Sequence, residues 1–324
     1  MTPALLALLA LGADTTQILP ARFEGDLVRV VPETIEGKTL NLYTDTGGGL
    51  FLTSAAVKRL GLETETVSGP AGPDGKPAQR QLVDFPEFKM EAWIPSPPDA
   101  RSKIGVMPAG MAEDQGFTED GMLGESWFGG HVWTWDYPGK HLRLEGEDWK
   151  ADASATRVPL GFRQDGGERV ANFPRVAIRV DGEPIDMLLD TGAMTILTPK
   201  ALKALGDSGP AERATSMIVD SRFKAWRAAH PDWRVIEDAQ ERSGAAMIEV
   251  PEVEIGGAKV GPVWFTWRPD ANFREYMSRM MDQRVDGAIG GNALSHFVMT
   301  IDYPGATAYF RCVRDCKAIP RPAP

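Results

Sequence analysis

The sequence contains one series of motifs twice, in the same order, and this repetition limits the folds it can adopt. The first series is Asp45-Thr46-Gly47, Asp120-Gly121-Met122-Leu123-Gly124 and Asp136-Tyr137-Pro138-Gly139, and the second is Asp190-Thr191-Gly192, Asp286-Gly287-Ala288-Ile289-Gly290 and Asp302-Tyr303-Pro304-Gly305. The two later pairs are offset by 166 residues (286 − 120 and 302 − 136) and the first pair by 145 (190 − 45). Ordered pairs of this kind indicate a duplicated chain that folds as two similar halves.

The second copy is longer by about 21 residues (166 − 145), and we expect this extra length as a helical insertion at residues 207–244. A chain of 324 residues is long enough for two domains. The sequence predicts an N-terminal lobe at 22–150, a C-terminal lobe at 157–312 and a tail at 313–324. The boundary between the lobes is expected in the polar stretch 145–157.

The chain contains 34 Gly and 25 Pro, which predict frequent turns. Frequent turns favour many short strands over long helices. Two short helices, each ended by a glycine, are predicted at 55–61 and 200–206. Further helical pieces are predicted at 222–227, 233–240 and 271–281. Strands are predicted at 26–31, 40–44, 88–94, 176–180, 185–189, 247–255, 263–267 and 297–302.

The N-terminal segment has the length and composition of a secretory signal. An uninterrupted apolar run at 4–11 is followed by small residues and then a polar stretch, which predicts a signal peptide at 1–13 and export to the periplasm or the exterior. The alternatives are a short buried helix and a cap over a cleft. In an exported protein, Cys312 and Cys316 could form a small disulfide loop.

The overall charge and the scarcity of metal-binding side chains limit the partners. The formal net charge of −10 argues against a nucleic-acid binder, because phosphate binding needs clustered Lys and Arg. No stretch after the N-terminal segment is apolar enough for a membrane helix. With two Cys and four His, we expect no metal site and no cofactor.

The two Asp-Thr-Gly motifs carry the most informative chemistry. Each ends an apolar strand on a carboxylate, and the following Gly allows a sharp turn whose amide groups can face that carboxylate. In a duplicated chain, Asp45 and Asp190 are expected to meet. Two adjacent carboxyl groups share one proton, so one is a general base and the other a general acid. Such a pair could activate a water for attack on a carbonyl group.

This arrangement resembles the aspartic protease superfamily, in its single-chain, two-lobed pepsin-like or retropepsin-like form. The resemblance covers nearly the whole chain after the N-terminal segment. It implies an all-β bilobal fold with two β-barrel-like lobes and a few short helices. It also implies a monomeric aspartic endopeptidase that holds a peptide or protein substrate between its lobes, with Asp45 and Asp190 as the catalytic pair.

The resemblance further implies supporting roles for the residues beside the two acids. Thr46 and Thr191 would make interlocked hydrogen bonds beneath the carboxyl groups, and Gly47 and Gly192 would complete the active-site loops. The elements Met122-Leu123-Gly124 and Ala288-Ile289-Gly290 would pack under the loop of their own lobe. A mobile flap is expected at 67–81, and the insertion is either a second lid or a surface excursion.

Two departures from the family pattern motivate an alternative. Gly48 replaces the Ser, Thr or Ala that usually follows the motif, and the flap segment has no tyrosine. Neither Gly48 nor Ala193 offers a hydroxyl to the carboxylates, so we expect a less acidic pH optimum. The alternative function is a non-catalytic peptide-binding or scaffold protein with the same fold.

Overall fold

The computed structural model of the chain describes residues 16–71, 77–98 and 103–319. The predicted signal peptide at 1–13 lies outside the described residues, as do residues 72–76 within the predicted flap. The described part of the first half forms strands β1 (Gln17–Ile18), β2 (Ala21–Glu24), β3 (Leu27–Val30), β4 (Leu42–Thr44), β5 (Phe51–Thr53), β6 (Thr64–Ala71), β7 (Pro77–Asp84), β8 (Lys103–Met107), β9 (Gly121–Leu123), β10 (Val132–Asp136) and β11 (His141–Leu144).

The second half continues the β-rich pattern. Its strands are β12 (Thr156–Pro159), β13 (Gln164–Asp165), β14 (Glu168–Arg169), β15 (Arg175–Val180), β16 (Glu183–Leu189), β17 (Met194–Ile196), β18 (Glu212–Ala214), β19 (Ser216–Val219), β20 (Val235–Ile236), β21 (Met247–Val250), β22 (Val253–Ile255), β23 (Ala258–Val260), β24 (Val263–Arg268), β25 (Gly287–Ile289), β26 (Phe297–Asp302), β27 (Thr307–Cys312) and β28 (Lys317–Ala318). The described helices are short: α1 (Ser54–Leu60), α2 (Ala109–Gln115), α3 (Glu125–Phe128), α4 (Pro199–Leu205), α5 (Asp220–Ala229) and α6 (Gly291–Leu294).

Three large sheets organise these strands. One lobe is built on an eight-stranded sheet in the order β2-β3-β4-β9-β5-β8-β7-β6. The other is built on a ten-stranded sheet in the order β20-β21-β24-β19-β25-β16-β15-β22-β23-β28. A six-stranded sheet, β1-β11-β10-β26-β27-β12, takes strands from both halves and joins the lobes.

The halves are related by an approximate twofold axis. In the joining sheet, β10 pairs antiparallel with β26, and Thr134 lies opposite Thr300 with their hydroxyl oxygens 2.7 Å apart. In each lobe, the strand before Asp-Thr-Gly pairs in parallel with the later apolar element, β4 with β9 and β16 with β25. The sequence repeat is therefore a repeat of strand pairing, as the duplication predicts.

The two glycine-capped helices form where the sequence predicts them. Thr53 caps α1 by accepting a hydrogen bond from Ala56 N–H at 3.2 Å, and Thr198 caps α4 in the same way. Both helices end on a glycine in the left-handed region, Gly61 at φ 73° and Gly206 at φ 71°. That conformation is strained for other residues, which explains why a glycine ends each helix.

Two local predictions differ from the structure, and a third is confirmed with a different helix type. Residues 88–94 form a single bridge between Thr34 and Phe88 and a 3₁₀ turn at Met90–Ala92, because Ala92 N–H closes back onto Lys89 O at 3.0 Å. Residues 233–240 form β20 and turns rather than a helix. Residues 271–281 are helical as predicted, in the form of a π-helix (Ala271–Tyr276) followed by a 3₁₀ helix (Met277–Met280).

The extra length of the second copy lies earlier than the sequence predicts. Strand β5 pairs in parallel with β8 and antiparallel with β9, and β19 makes the matching pairings with β24 and β25. Strand β5 follows Gly47 closely, whereas β17, α4 and β18 intervene between Gly192 and β19. By strand pairing, then, the counterpart of α1 is α5, although the sequence of α1 is repeated in α4.

Candidate active site

The two Asp-Thr-Gly loops meet on the approximate twofold axis and are tied together by their threonines. The Thr46 hydroxyl donates to Leu189 O at 2.7 Å and accepts from Thr191 N–H at 3.0 Å. In return, Thr46 N–H donates to the Thr191 hydroxyl at a longer 3.3 Å. Both threonines are fully buried, so these bonds fix one loop against the other without competition from water.

The carboxyl groups of Asp45 and Asp190 lie next to each other, on the loops that these threonines hold together. A side-chain hydrogen bond joins the two groups. Gly47 N–H donates to Asp45 Oδ1 at 2.7 Å, and Gly192 N–H donates to Asp190 Oδ1 at 3.0 Å. A Cβ atom on Gly47 would lie 2.8 Å from the Asp190 carboxyl carbon, so a glycine is needed for this close approach.

Burial and mutual repulsion leave one proton on the pair. The pKa of Asp190 is raised well above its ordinary value, first by burial and then by the charge of Asp45. Burial also raises the pKa of Asp45, but the hydrogen bonds from Asp190 and Gly47 N–H oppose that rise. Of the two groups, Asp190 is therefore the one favoured to carry the proton and Asp45 the one favoured to be ionised. One group is an acid and its neighbour a base.

A cavity flanks each acid. The Asp190 cavity, of about 590 Å³, is bounded by Leu188, Met217, Arg268, Phe273, Glu275, Tyr276, Met277 and Arg279. The Asp45 cavity, of about 260 Å³, is bounded by Tyr43, Phe117, Met122, Met194, Ile196, Gln240 and Arg242. Apolar walls beside a small number of polar groups are typical of ligand sites.

Two residues that the sequence motifs did not predict, Tyr43 and Arg29, lie next to the acid pair. The Tyr43 hydroxyl donates to Gly192 O at 2.9 Å and so links the lobes. Burial, followed by the charges of Asp45 and Asp190, raises the pKa of Tyr43, which stays protonated. Arg29 lies over the Tyr43 ring at 5.2 Å and bridges Glu119 of one lobe and Glu212 of the other. The roles of Tyr43 and Arg29 are recognisable only from their contacts with the other lobe.

The unusual Gly48 has a packing explanation. A Cβ atom there would lie 2.5 Å from Met122 Sδ and 2.7 Å from Asp45 Oδ2. At the matching position of the second lobe, Ala193 is accommodated, and the residue that matches Met122 is the small Ala288. A large residue in β9 thus replaces the volume that a side chain at position 48 would fill.

We expect Gly48→Ala to reduce activity at least about tenfold, because the new methyl group displaces either Met122 or the Asp45 carboxylate. Gly48→Ala combined with Met122→Ala reproduces the pair found in the second lobe, and we expect it to recover part of the loss. Rates and thermal unfolding of the two single variants and the double variant test this coupling. Strictly additive losses would contradict it.

The remaining predicted features are partly described. Strands β6 and β7 form a hairpin at the predicted flap, whose central residues lie outside the described part, so its closing role stays a prediction. Cys312 and Cys316 are joined by a disulfide. No helix in the described ranges is long and apolar enough to cross a membrane. Residues 16–71, 77–98 and 103–319 hold no group of three or more His, Cys, Asp or Glu side chains placed to bind a metal.

Solved structures show similarity in fold at low sequence identity. Conglutin gamma, a basic 7S globulin from lupine seeds, superposes with a TM-score of 0.50 at 11% identity, covering 93% of this chain and 95% of that chain. An aspartic proteinase from Irpex lacteus matches with a TM-score of 0.46 at 11% identity, covering 93% of this chain and 98% of that chain. No family model matches the sequence, and no curated relative does either. The two-lobed strand arrangement and the similarity to the lupine globulin establish a bilobal, all-β pepsin-like fold, which confirms the predicted fold class.

Proposed function

We propose that the protein is an aspartic endopeptidase that hydrolyses peptide bonds with a water held between Asp45 and Asp190. The observation that carries the proposal is the adjacent pair of carboxyl groups, with Asp190 buried and Asp45 partly buried, each at the start of an Asp-Thr-Gly loop. Both acids come from one chain, so a monomer has the complete pair. Peptide or protein is the proposed substrate, bound across the two cavities.

The proposed reaction uses the pair first as base and acid and then in the reverse roles. The Asp45 carboxylate takes a proton from the water while the water oxygen bonds to the peptide carbonyl carbon. At the same time, Asp190 gives its proton to the carbonyl oxygen. The tetrahedral intermediate then returns a hydroxyl proton to Asp190. Asp45 passes its proton to the nitrogen as the C–N bond breaks, leaving a carboxylic acid and an amine.

We expect a bell-shaped pH dependence displaced upwards from the ordinary carboxyl range. Activity is lost at low pH when Asp45 gains a proton and at high pH when Asp190 loses its own. Burial raises the pKa of both groups, and of Asp190 more strongly, so the alkaline limb should move furthest. Hydrolysis rates of one neutral peptide measured between about pH 3 and about pH 8 test this. Activity that is independent of pH over this range would argue against the acid pair.

The test of the proposal itself is hydrolysis of a mixed peptide library by the purified protein. Cleavage products identified by mass spectrometry, and inhibition by a pepstatin-type transition-state analogue, are the expected results. Absence of new peptide ends at every pH would reject the endopeptidase assignment.

A peptide-binding protein without turnover is the second candidate, and one contact favours it. Arg242, from the second lobe, donates to Glu113 O of the first lobe at 3.4 Å and lies against Gly116, so a contact between the lobes borders the Asp45 cavity. This contact narrows the path of an extended substrate. Peptide binding by calorimetry without cleavage would support this candidate.

Export to an oxidising compartment is part of the proposal. The disulfide between Cys312 and Cys316 supports it, because such bonds persist mainly outside the cytosol. Detection of a mature chain that lacks residues 1–13 in the periplasmic or extracellular fraction would test it.

A further inference from the structure

Arg268 brings a positive charge into the wall of the Asp190 cavity. It is the last residue of β24, which ends there because Pro269 cannot continue the ladder. The strand pairs with β19, and this register places Arg268 opposite Val219. The side chain is therefore held at the cavity by two paired strands rather than by a loop.

The Arg268 guanidinium has few partners. Its Nη1 donates to Trp267 O at 2.9 Å and to Gln240 Oε1 at 3.4 Å, both of them neutral acceptors. Within the described residues, no carboxylate forms an ion pair with it. Burial lowers the pKa of Arg268 to about 10. Only an ionised Asp190 would oppose this shift, and Asp190 makes no hydrogen bond to the guanidinium. A largely buried cation without a bound anion is costly for the fold.

The remaining cavity wall favours a ligand that is apolar along its stem and negatively charged at its tip. Leu188, Met217, Phe273 and Met277 provide apolar contacts. The other charged residues of the wall are Glu275 and Arg279, both exposed. With Asp190 protonated, the wall thus has two positive charges and one negative charge.

We propose that Arg268 is a specificity residue that binds a substrate carboxylate seated in the Asp190 cavity beside the scissile bond. The inference rests on the proposed function, since it assigns the substrate class of the same site. A planar guanidinium with free N–H groups can bind a carboxylate through two parallel hydrogen bonds. The carboxylate comes from an Asp or Glu side chain or from the end of the peptide, and the test distinguishes these sources.

A purely structural role is the competing explanation. Arg268 could serve only to hold Gln240 in place through its hydrogen bond. In that case its removal would lower thermal stability and weaken binding of all peptides equally. Loss of an unpaired buried cation should instead leave stability unchanged or raise it, which separates the two roles.

The experiment uses peptides of one sequence that carry Glu, Gln or Leu at a single position, moved along the peptide. Each is made with a free or an amidated C-terminus. Values of kcat/KM are measured for the parent, Arg268→Met and the matched control Arg279→Met, which removes the same charge from an exposed wall position. Equilibrium binding of the same peptides to the Asp45→Asn variant, alone and with Arg268→Met, provides a readout that does not need turnover.

We expect the parent to prefer Glu over Gln at least about tenfold at one position next to the cleaved bond, whatever the state of the C-terminus. Arg268→Met should remove this preference by lowering kcat/KM most for the Glu peptide, whereas Arg279→Met should retain the preference. A preference that follows the free C-terminus would assign the carboxylate to the peptide end. Cleavage without any carboxylate preference, or a preference unchanged in Arg268→Met, overturns the inference alone. Failure of all peptides to be cleaved rejects the proposed function, and the binding data then decide the inference separately.

Discussion

Asp45→Asn and Asp190→Asn should each reduce peptide hydrolysis at least about a thousandfold while leaving the fold intact. An amide at position 45 cannot take the proton from water, and an amide at position 190 cannot supply an acidic proton to the carbonyl oxygen. The loops themselves should persist, because Thr46 and Thr191 hold them from below. Initial rates on a peptide cleaved by the parent, with circular dichroism of each variant, are the measurements.

Asp302→Asn is a suitable matched control for these variants. Asp302 caps a turn by accepting from Gly305 N–H at 2.7 Å and lies in the joining sheet, outside both cavities. We expect its activity to remain within about twofold of the parent, since an amide can still accept that bond. Parent-like activity in either active-site variant would refute the acid-pair mechanism.

The same substitution at Asp190 should change the pH dependence of stability in a defined direction. The folded-state pKa of Asp190 is raised, so folding favours its protonated form, and stability falls as pH rises through that pKa. Asp190→Asn has no proton to lose. We therefore expect its free energy of unfolding to exceed that of the parent above this pH, by about 1.4 kcal/mol for each unit of the pKa rise. If the free energy of unfolding of the parent and of the variant had the same pH dependence, folding would not raise the pKa of Asp190.

The duplicated motifs allowed the architecture to be predicted because strand ends and tight turns are specified locally. An apolar strand followed by Asp-Thr-Gly needs few distant contacts to be recognised, and the glycine caps of α1 and α4 depend on a single backbone conformation. The prediction was weaker where tertiary pairing decides the structure. Val235–Ile236 joins a sheet edge through β21, although its surrounding sequence favours a helix.

The position of the extra chain shows a similar limit of sequence repetition. The segment after Gly192 keeps the helix sequence of the first half, but the strand that fills the place of β5 comes later, as β19. Arg222 of α5 binds Asp286 at 3.2 Å, as Arg59 of α1 binds Asp120 at 2.7 Å. Thus α4 repeats the sequence of α1, but α5 occupies the structural position of α1.

The acids, threonines and glycines of the site could be predicted because they make up the two Asp-Thr-Gly motifs. Tyr43, Met122 and Arg268 could not, because each depends on which strands become neighbours. Tyr43 reaches the opposite lobe, Met122 lies beneath Gly48, and Arg268 is brought to Asp190 by the end of β24. Such residues become visible only when the strand register is known.

Thr46→Val should destabilise the protein more than Thr191→Val, although the two residues are equivalent in the repeat. Removal of the Thr46 hydroxyl leaves Leu189 O without its donor at 2.7 Å and Thr191 N–H without its acceptor at 3.0 Å. Removal of the Thr191 hydroxyl deprives only Thr46 N–H of a longer bond at 3.3 Å, together with a weak hydroxyl contact at 3.4 Å. A buried group left without its partner costs about 1–3 kcal/mol.

On this basis we expect a loss of about 3–4 kcal/mol for Thr46→Val and about 1–2 kcal/mol for Thr191→Val. Urea denaturation followed by tryptophan fluorescence provides the comparison, with Thr46→Ser and Thr191→Ser as controls that keep each hydroxyl. The activity of Thr46→Val should also fall more, because Thr46 fixes the strand end that carries Asp190. Equal losses for the two valine variants would mean that the hydrogen bonds are symmetric in solution, and the two acids would then differ only through their own burial and charge.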